Sequence, residues 1–450
     1  MKPLILSSAS RWLAFSLVSA LPSLGSAADL VLQKAPPLTV KEAPAYPENL
    51  ARYHFGADVK AAPHSVPLAK LQLSSNGEDQ NTSETALLCD DPTTGYRLPA
   101  GASSLLISLS RIENVESVAF LNEGAEGDFA ISVSNADVPV NSPEWRSVGH
   151  GSMSLRAIAA NIGPGEAKYV KVNFNLSHPG RIAAFGVYAT PALSDFTMPR
   201  PRKVSFEENS PSFALINFNF SDLHSRARGL YASSGDLEQI SNMIDNRATT
   251  SYRFAAGDAA PTAVIDLGRE RDLSRICALY AAQPGMIEFY VLRTLPDDKA
   301  SEESQVQQIS DRGQTGDLPA SLRVSEKTLA GLKPVGSVVS GGEGRAAVDF
   351  PQVTGRYIML KWHPASAQNQ AFSVAQVAAF GRPKNNGTAQ AGEGEAMNDG
   401  KDRLDKNVVD AKESPKEGPN EAQAPSEGPP PALPPVPPFT FIPEVPPTSP

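Results

Sequence analysis

The chain has 450 residues, with 40 lysines and arginines against 49 aspartates and glutamates, so its formal net charge is -9 at pH 7. Nucleic-acid binding requires clustered Lys and Arg that neutralise phosphates, and the sequence contains no such cluster, which argues against a nucleic-acid partner. Two cysteines are too few for a small fold held together by several disulfides. The length predicts two or three domains.

The first 28 residues have the features of a secretory signal peptide. Lys2 and Arg11 precede an apolar run over residues 12–24, which ends on the small residues Gly25 to Ala28. This order is typical of an export signal, and the run is shorter than the roughly 20 residues of a membrane-spanning helix. No comparable run follows. We therefore expect an exported protein, periplasmic, cell-surface or secreted, that is cleaved after Ala28 and has no transmembrane segment.

The middle of the chain contains an internal repeat. Residues 105–134 align without a gap with residues 263–292. In the first segment Phe129, Ile131 and Val133 occupy every second position, and the second segment shows the same alternation. A half-buried strand requires this period of two, since successive side chains point to opposite faces of a sheet. Both segments are therefore predicted to contain strands.

The repeat continues towards the end of each copy. Residues 168–174 align with residues 356–362, and the sequence Ala-Ala-Phe-Gly occurs at 183–186 and again at 378–381. Helical periodicity is weak, and short apolar stretches are separated by Gly, Pro, Asn and Asp. These features predict an all-β fold of two tandem antiparallel sandwiches. About 30 additional polar residues within 292–333 predict a surface loop in the second copy.

The order of these motifs resembles that of the discoidin family, also called the coagulation-factor 5/8 C-terminal type, and of its galactose-binding-like relatives among carbohydrate-binding modules. The second copy carries the resemblance best, in an opening strand, a loop with Asp, four residues, Thr, one residue and an aromatic, and two central strands. Fainter counterparts of the opening, the end of the loop and a strand occur in the first copy. The segments are 227–234, 244–252, 264–268 and 355–358, then 50–52, 94–96 and 144–148.

The resemblance implies two jelly-roll β-sandwich domains that bind glycans, lipids or proteins through loops at one end of the sandwich. The acidic and then proline-rich end of the chain has too few apolar residues to offset the entropy of ordering, so it is expected to be a disordered tail. The expected divisions are a signal peptide at 1–28, a linker at 29–47, a divergent sandwich at 48–190, a linker at 191–223, a sandwich at 224–382 and the tail at 383–450.

The sequence contains no recognisable catalytic motif. The six histidines lack the paired spacing of a zinc hydrolase, and no nucleophile elbow, phosphate loop or dinucleotide fingerprint follows a strand. The acidic pairs Asp90-Asp91 and Asp297-Asp298 are more typical of solvated turns than of a glycosidase. We expect a non-catalytic protein that binds a glycan or another cell-surface polymer. The alternative is a structural or assembly protein of the cell envelope that binds protein partners.

Four residues of the second copy are candidates for a site. Arg253 follows the aromatic of the loop and is a candidate for ligand binding, with an exposed structural Arg as the alternative. The resemblance also implies calcium, because Asp245 and Thr250 stand at the matching loop positions. Gln376 stands where the family often has a carboxylate, and it offers a neutral oxygen to a cation that prefers oxygen ligands. The alternative is that Asp245 caps its own turn.

The first copy lacks the same set of ligands. Its position matching Asp245 is Cys89 or, with a shift of one residue, Asp90. Its position matching Gln376 is Arg181, which would repel a cation. We therefore expect a weak calcium site in the second sandwich and none in the first.

The cysteines and tryptophans allow three more predictions. Cys277 aligns with Ala119 within a buried strand, whereas Cys89 lies in a loop of the other copy, so we expect no disulfide between them. Trp145 and Trp362 lie on predicted strands, and we expect both of their side chains in the core.

Overall fold

The computed structural model describes residues 29–62, 84–191, 193, 200, 218–296, 318–366 and 371–381. The expected signal peptide, most of the expected linker 191–223 and the expected tail lie outside the described residues. Within these ranges the chain forms sixteen strands, one short α-helix and five short 3-10 helices. The strands form two antiparallel sheets, which confirms the predicted all-β class with two sandwiches.

In chain order the strands are β1 (Leu30–Lys34), β2 (Asp58–Ala62), β3 (Gly95–Leu98), β4 (Gly101–Glu123), β5 (Glu126–Ser134), β6 (Arg146–Ser152), β7 (Ala157–His178), β8 (Gly180–Ala189), β9 (Arg228–Ala232), β10 (Tyr252–Arg253), β11 (Thr262–Tyr280), β12 (Pro284–Leu292), β13 (Ser321–Val324), β14 (Gly336–Gly341), β15 (Arg345–Pro364) and β16 (Ser373–Phe380). The α-helix α1 spans Glu326–Gly331, and the 3-10 helices span Ala43–Ala45, Tyr53–Phe55, Glu84–Leu88, Leu223–Ser225 and Leu237–Met243.

Strands β2 to β8 form the first sheet, in the order β3-β8-β4-β7-β5-β6 with β2 on β4. The first part of β4 pairs with β2 and its last part with β8, while β7 follows β4 along most of its length. The long strands therefore take part in both layers of the sandwich. The rings of Phe120, Phe174 and Phe185 pack against each other in the core between these layers.

Strands β1 and β9 to β16 form the second sheet, in which β11 and β15 occupy the places of β4 and β7. Its core contains Trp362, whose ring stacks on Phe372 with the centroids 4.5 Å apart. Tyr252 is also fully buried in this core. The prediction that Trp362 belongs to the core is therefore confirmed.

The strand pairings agree with the sequence repeat in the central strands. Ile107 of β4 lies opposite Val170 of β7. The aligned residues of the second copy, Ile265 and Ile358, lie opposite each other in β11 and β15. Both copies therefore use the same register in the pair of long strands on which each sandwich is built.

The closing strands depart from the alignment. Ala119 of β4 lies opposite Gly186, whereas its counterpart Cys277 lies opposite Ala378. Gly186 is therefore the structural equivalent of Ala378, and the alignment of the two Ala-Ala-Phe-Gly sequences is wrong. Strand β8 also contains an irregularity here, where the register shifts by one residue and Ala184 has a φ of 47°, as expected of a bulge that inserts an extra residue.

The strand pairing also changes the first-copy residue that corresponds to Gln376. Gln376 lies opposite Leu279, and Leu121, the counterpart of Leu279, lies opposite Ala183. The predicted match between Gln376 and Arg181 is therefore wrong. Repulsion by Arg181 therefore does not support the expectation that the first sandwich lacks a calcium site.

The sequence predicts a linker over residues 29–47, but Leu30–Lys34 form strand β1 of the second sheet. This strand pairs with β13 on one side and with β9 on the other. Leu32 at its centre is fully buried. The linker prediction is wrong here because five residues beside the export signal show too little alternation to indicate a strand.

The predicted surface loop of the second copy is also partly structured. Its described portion forms β13 and α1, and Leu322 and Val324 are buried in a cluster with Tyr231 and Met359. These last two side chains lie on the face of the sheet that points away from the main core. The position equivalent to Met359 in the first sandwich is Lys171, since both lie one residue after the aligned partners of the long strands. The insertion therefore covers an apolar face of the second sandwich, whereas the equivalent position of the first carries a lysine.

Buried polar contacts join the two sandwiches, which belong to one compact unit. Asp91 Oδ2 accepts a hydrogen bond from Arg275 Nε at 2.9 Å, and Asp90 Oδ2 accepts one from the backbone N–H of Asn219 at 3.2 Å. Asp90 and Asp91 are only 2% and 4% exposed. The interpretation of this acidic pair as a solvated turn is therefore wrong, because both carboxylates bind the second sandwich.

An apolar contact lies beside these charges. Leu121 and Leu279, which are aligned residues of the repeat, share a buried cluster with Ala183 and Ala248. The two sandwiches thus meet through corresponding positions of β4 and β11.

We predict that Asp91→Asn lowers the free energy of unfolding by about 3 kcal/mol, as expected when one partner of a buried ion pair is removed. Burial alone would raise the pKa of Asp91, but the Arg275 guanidinium holds that pKa below its ordinary value. The stability from this pair is therefore present above the unfolded pKa and is lost as the pH falls through the folded one. Urea denaturation at pH 7 measures the effect.

The matched control for Asp91→Asn is Glu126→Gln. It removes an exposed ion pair with His178, in which both side chains are 68% exposed, so it should cost less than about 1 kcal/mol. Equal unfolding midpoints for the two variants would contradict a role of Asp91 in joining the sandwiches.

Candidate functional site

The structure brings Asp245 and Thr250 together in one buried loop. Asp245 Oδ1 accepts a hydrogen bond from the backbone N–H of Arg247 at 3.0 Å, and Oδ2 accepts one from Thr250 Oγ1 at 2.6 Å. In the first sandwich the thiol of Cys89 lies 2.8 Å from Thr94 Oγ1. Cys89 therefore takes the place of Asp245, and the carboxylate is absent from that position of the first loop.

This loop of the second sandwich is held against the first sandwich. Asn246 Oδ1 accepts a hydrogen bond from Arg52 Nη2 at 2.7 Å, and its backbone oxygen accepts one from the hydroxyl of Tyr188 at 2.8 Å. Asn246 has a φ of 59°, a left-handed conformation that Asn tolerates better than most residues. The loop that carries Asp245 therefore also serves as a contact between the domains.

Gln376 lies on the neighbouring strand β16 and is only 2% exposed. Neither its amide nitrogen nor its amide oxygen has a hydrogen-bond partner among the described residues. Its cross-strand neighbour Leu279 shares a buried cluster with Ala248 of the loop. A buried amide without a partner is destabilising, so this position suits a bound water or a cation.

Arg253 lies apart from this buried loop. It is exposed on β10, opposite Ser373. The backbone oxygen of Ser373 accepts a hydrogen bond from Ala281 at 2.8 Å, which places Arg253 at the same end of the second sandwich as the turn between β11 and β12. The four predicted site residues therefore fall into two groups, one buried and one exposed.

The prediction that Trp145 is a core residue is wrong. Trp145 precedes β6 and is only partly buried, outside the hydrophobic clusters. Its indole N–H donates to the backbone oxygen of Pro139 at 2.9 Å, and the Lys171 ammonium lies 4.6 Å from the ring centroid. The amphipathic indole thus packs over a polar outer face of the first sandwich.

Both cysteines are buried as free thiols. The thiol of Cys277 donates to Asp91 Oδ1 at 3.3 Å. Burial raises the pKa of Cys89 to about 12 and that of Cys277 well above its ordinary value. Both groups are therefore protonated at neutral pH, whereas a nucleophile or metal ligand requires the thiolate.

A cleft of about 790 Å³ lies between the two sandwiches. Its walls are residues 122–127 and 152–156 of the first sandwich and Ala282, Gly342, Glu343 and Arg345 of the second. These residues belong to the turns β4–β5 and β6–β7 and to the equivalent turns β11–β12 and β14–β15. The cleft therefore forms where the same loop end of each sandwich meets the other.

The carboxylates of the cleft already accept hydrogen bonds from the protein. Glu123 accepts from Arg181 of its own sandwich and, at 2.9 Å, from Arg345 Nη1 of the other. Glu343 accepts from the backbone N–H of Gly341 at 2.8 Å. Hydrogen bonds from its own backbone N–H and from that of Gly341 hold the pKa of Glu343 below its ordinary value.

The cleft also contains an apolar side chain and a cation. Leu155 is 67% exposed and lines the cleft. Arg156 Nη2 donates across the domain boundary to the backbone oxygens of Glu343 and Gly344, at 3.0 and 3.3 Å. No motif in the sequence predicts this site, because its walls come from turns that are distant in the chain.

The described residues contain no group of three or more His, Cys, Asp or Glu side chains placed to hold a metal ion; the set of Asp245, Thr250 and Gln376 is of a different composition. None of the helices in these ranges has the length and apolar character of a membrane span.

No protein-family model and no curated protein matches the sequence. Several solved structures are similar in fold. The F-lectin of striped bass (Morone saxatilis) serum has 12% identity, covers 74% of this chain and 98% of its own, with a TM-score of 0.23. The CBM32-1 and CBM32-2 domains of Clostridium perfringens ZmpB have 10% identity, with coverage of 72% and 92% and a TM-score of 0.24. Allantoicase of Saccharomyces cerevisiae has 11% identity, with coverage of 78% and 100% and a TM-score of 0.24.

We predict that Asp245→Asn stabilises the protein at alkaline pH when calcium is removed with a chelator. Burial raises the pKa of Asp245 from 3.8 to about 7, so the folded protein binds more protons than the unfolded chain between these values. The free energy of unfolding therefore falls as the pH rises through this window, by about 4 kcal/mol in all. Asn does not ionise, so the free energy of unfolding of the variant does not fall in this way.

Chemical denaturation at pH 4, 6 and 8 tests the prediction. The variant and the native protein should be similar at pH 4, and the variant should be the more stable at pH 8. The exposed Asp128→Asn is the matched control. An unchanged difference between native and Asp245→Asn proteins over the whole range would show that this carboxyl does not titrate in the window.

Proposed function

We propose that the protein is a non-catalytic binding protein that holds a glycan, or a similar hydroxyl-rich polymer, in the cleft between its two sandwiches. The observation that carries the proposal is the meeting of equivalent loop ends of both sandwiches around one open cleft. A volume of about 790 Å³ falls within the range of small-ligand sites, and a position between domains is a common one for such sites.

The chemistry of the walls suits a polar, hydroxyl-rich ligand. Sugar hydroxyls both donate and accept hydrogen bonds, so carboxylates and guanidinium groups can bind them. Glu123 is already bonded to two arginines, so its negative charge is compensated within the protein. The exposed Leu155 offers an apolar surface to the C–H face of a sugar ring.

The similar structures include a lectin and carbohydrate-binding modules. The walls of the cleft, rather than these similarities in fold, support the proposal. We propose Arg253 as a further ligand contact, since it is exposed at the same loop end. We also propose that the protein acts after export, in the periplasm, at the cell surface or outside the cell, as residues 1–28 indicate.

Ser154→Trp tests the cleft. Ser154 is an exposed residue of the cleft wall, so a bulky indole there should block the ligand without disturbing a core. Affinity electrophoresis of the full chain through a panel of neutral and acidic polysaccharides should show retardation by at least one polymer. The variant should lose about tenfold or more in affinity, and no polymer should be shortened during incubation.

Ser110→Trp is the matched control, because Ser110 is exposed on the first sandwich but outside the cleft wall. Its retardation should equal that of the native protein. Absence of retardation by every polymer would contradict the proposal. Co-purification with envelope proteins in that case would favour the alternative of a structural or assembly protein of the cell envelope.

We also propose a weak calcium site at Asp245, Thr250 and Gln376. The unpartnered amide of Gln376 supports this site, since its oxygen could coordinate the cation. Both oxygens of Asp245 already accept hydrogen bonds, so the ion would compete with these bonds. Bound calcium would supply positive charge that stabilises the Asp245 carboxylate, and the loop would stay closed against the first sandwich.

Calorimetric titration of the full chain with calcium tests this site. Binding should be tighter at pH 8 than at pH 6, because burial raises the pKa of Asp245 to about 7 and the ion requires the carboxylate. Asp245→Ala should abolish the heat, and Gln376→Leu should weaken it. Persistence of the same heat in Asp245→Ala would refute the assignment.

A further inference from the structure

Arg156 differs from the other charged residues of the cleft in its partners. Glu123 and Arg345 are paired with each other, and Glu126 is paired with His178. Glu343 receives backbone N–H groups. Arg156 donates only to two backbone oxygens, so within the described part of the chain its positive charge is not matched by a carboxylate.

The two backbone oxygens fix the direction of the guanidinium group. Both accept from the same nitrogen, Nη2, and both belong to the β14–β15 turn of the other sandwich. The backbone of Arg156 is held as well, because its oxygen accepts from the N–H of Asn122 at 2.7 Å. A guanidinium group has five N–H donors in a planar fork, so Nη1 and Nε remain for a ligand in the cleft.

Gly344 makes this position of Arg156 possible. Gly344 has a φ of 70°, and a Cβ at this residue would lie 2.5 Å from Arg156 Nη2, 2.6 Å from Nη1 and 2.7 Å from the backbone oxygen of Tyr280. A side chain here would therefore displace the guanidinium group and strain the turn. The turn of the second sandwich therefore has room for Arg156 because Gly344 has no side chain.

We propose that the ligand carries carboxylate groups, as in a polymer of uronic acids, and that Arg156 binds one of them. This inference rests on the proposed function of the cleft. Acceptor groups on a ligand would satisfy the remaining donors, and a planar carboxylate matches the planar fork of arginine in a two-bond contact. The carboxylates of the cleft already accept hydrogen bonds from the protein. The N–H groups of Arg156 are the donors of this site that remain for an acceptor on the ligand.

The polymers for the test differ only in the carboxylate. Polygalacturonate and polymannuronate are each compared with their carboxyl-reduced form, in which the carboxylate has become a neutral CH2OH group. Dissociation constants are measured with the full chain. The native protein should bind at least one acidic polymer about tenfold more tightly than its reduced form, since a hydrogen bond to a charged group contributes this much. Rising salt should reduce the preference.

Four variants locate the preference. Arg156→Gln should bring the two affinities within about twofold of each other, while Arg156→Lys, which keeps the charge but not the fork, should retain part of the preference. Gly344→Ala should reduce it by displacing Arg156. Arg111→Gln, a change of equal charge at a side chain 68% exposed and outside the cleft wall, should leave the preference unchanged. Thermal unfolding of each variant shows whether the domains remain joined.

The outcomes separate this inference from the proposed function. Equal binding of acidic and reduced polymers by the native protein would overturn the role of the carboxylate and leave the glycan-binding cleft intact. Stronger binding of dextran sulfate than of both uronic-acid polymers would overturn the carboxylate in favour of a sulfate group. Binding of none of these polymers, acidic or neutral, would contradict both the inference and the proposed function.

Discussion

The ion pair between Asp91 and Arg275, together with the neighbouring Asp90, is the interaction on which the arrangement of the molecule depends. Charges at this depth are costly to desolvate, and a buried pair gives its stability only when the partners keep their geometry. The pair therefore favours one relative placement of the two sandwiches over a range of placements. The cleft exists only in that placement, since its walls come from both domains. Arg345 and Arg156 reinforce it from the rim, each by reaching across to the other sandwich.

Equivalent loops of the two sandwiches share a geometry but contain side chains of different chemistry. The loop of the second sandwich has Asp245 hydrogen-bonded to Thr250, and that of the first has Cys89 beside Thr94. A carboxylate can bind a cation, whereas a buried protonated thiol behaves as a small apolar group. Both loops nevertheless contact the opposite sandwich, one through Asn246 and the other through Asp90 and Asp91. Joining the domains is thus the property that the two loops share.

Period-two alternation was sufficient to predict the class of fold and the central strands, because those strands each bury one face. It could not locate β1, where five residues carry the pattern, nor the bulge at Ala184, which depends on a single backbone conformation. The prediction that Trp145 is a core residue is wrong because a residue at the end of a strand can place its ring on the polar face of the sheet. The pairing of Asp245 with Thr250 could be predicted from a motif. The cleft could not, since Leu155, Arg156 and Glu343 become neighbours only after the domains have associated.

The pairing of strand β1 implies an order in which the two domains fold. Its partners β9 and β13 follow the whole first sandwich in the sequence, and the two ends of that sandwich lie side by side, with Asn49 bridged to Tyr188. The first sandwich is therefore an insertion within the second. A chain made from its N-terminus can complete the inserted domain early, while β1 remains without a partner until β9 has been synthesised. Pairings between distant segments form slowly, so the host domain closes last, around a neighbour that is already folded.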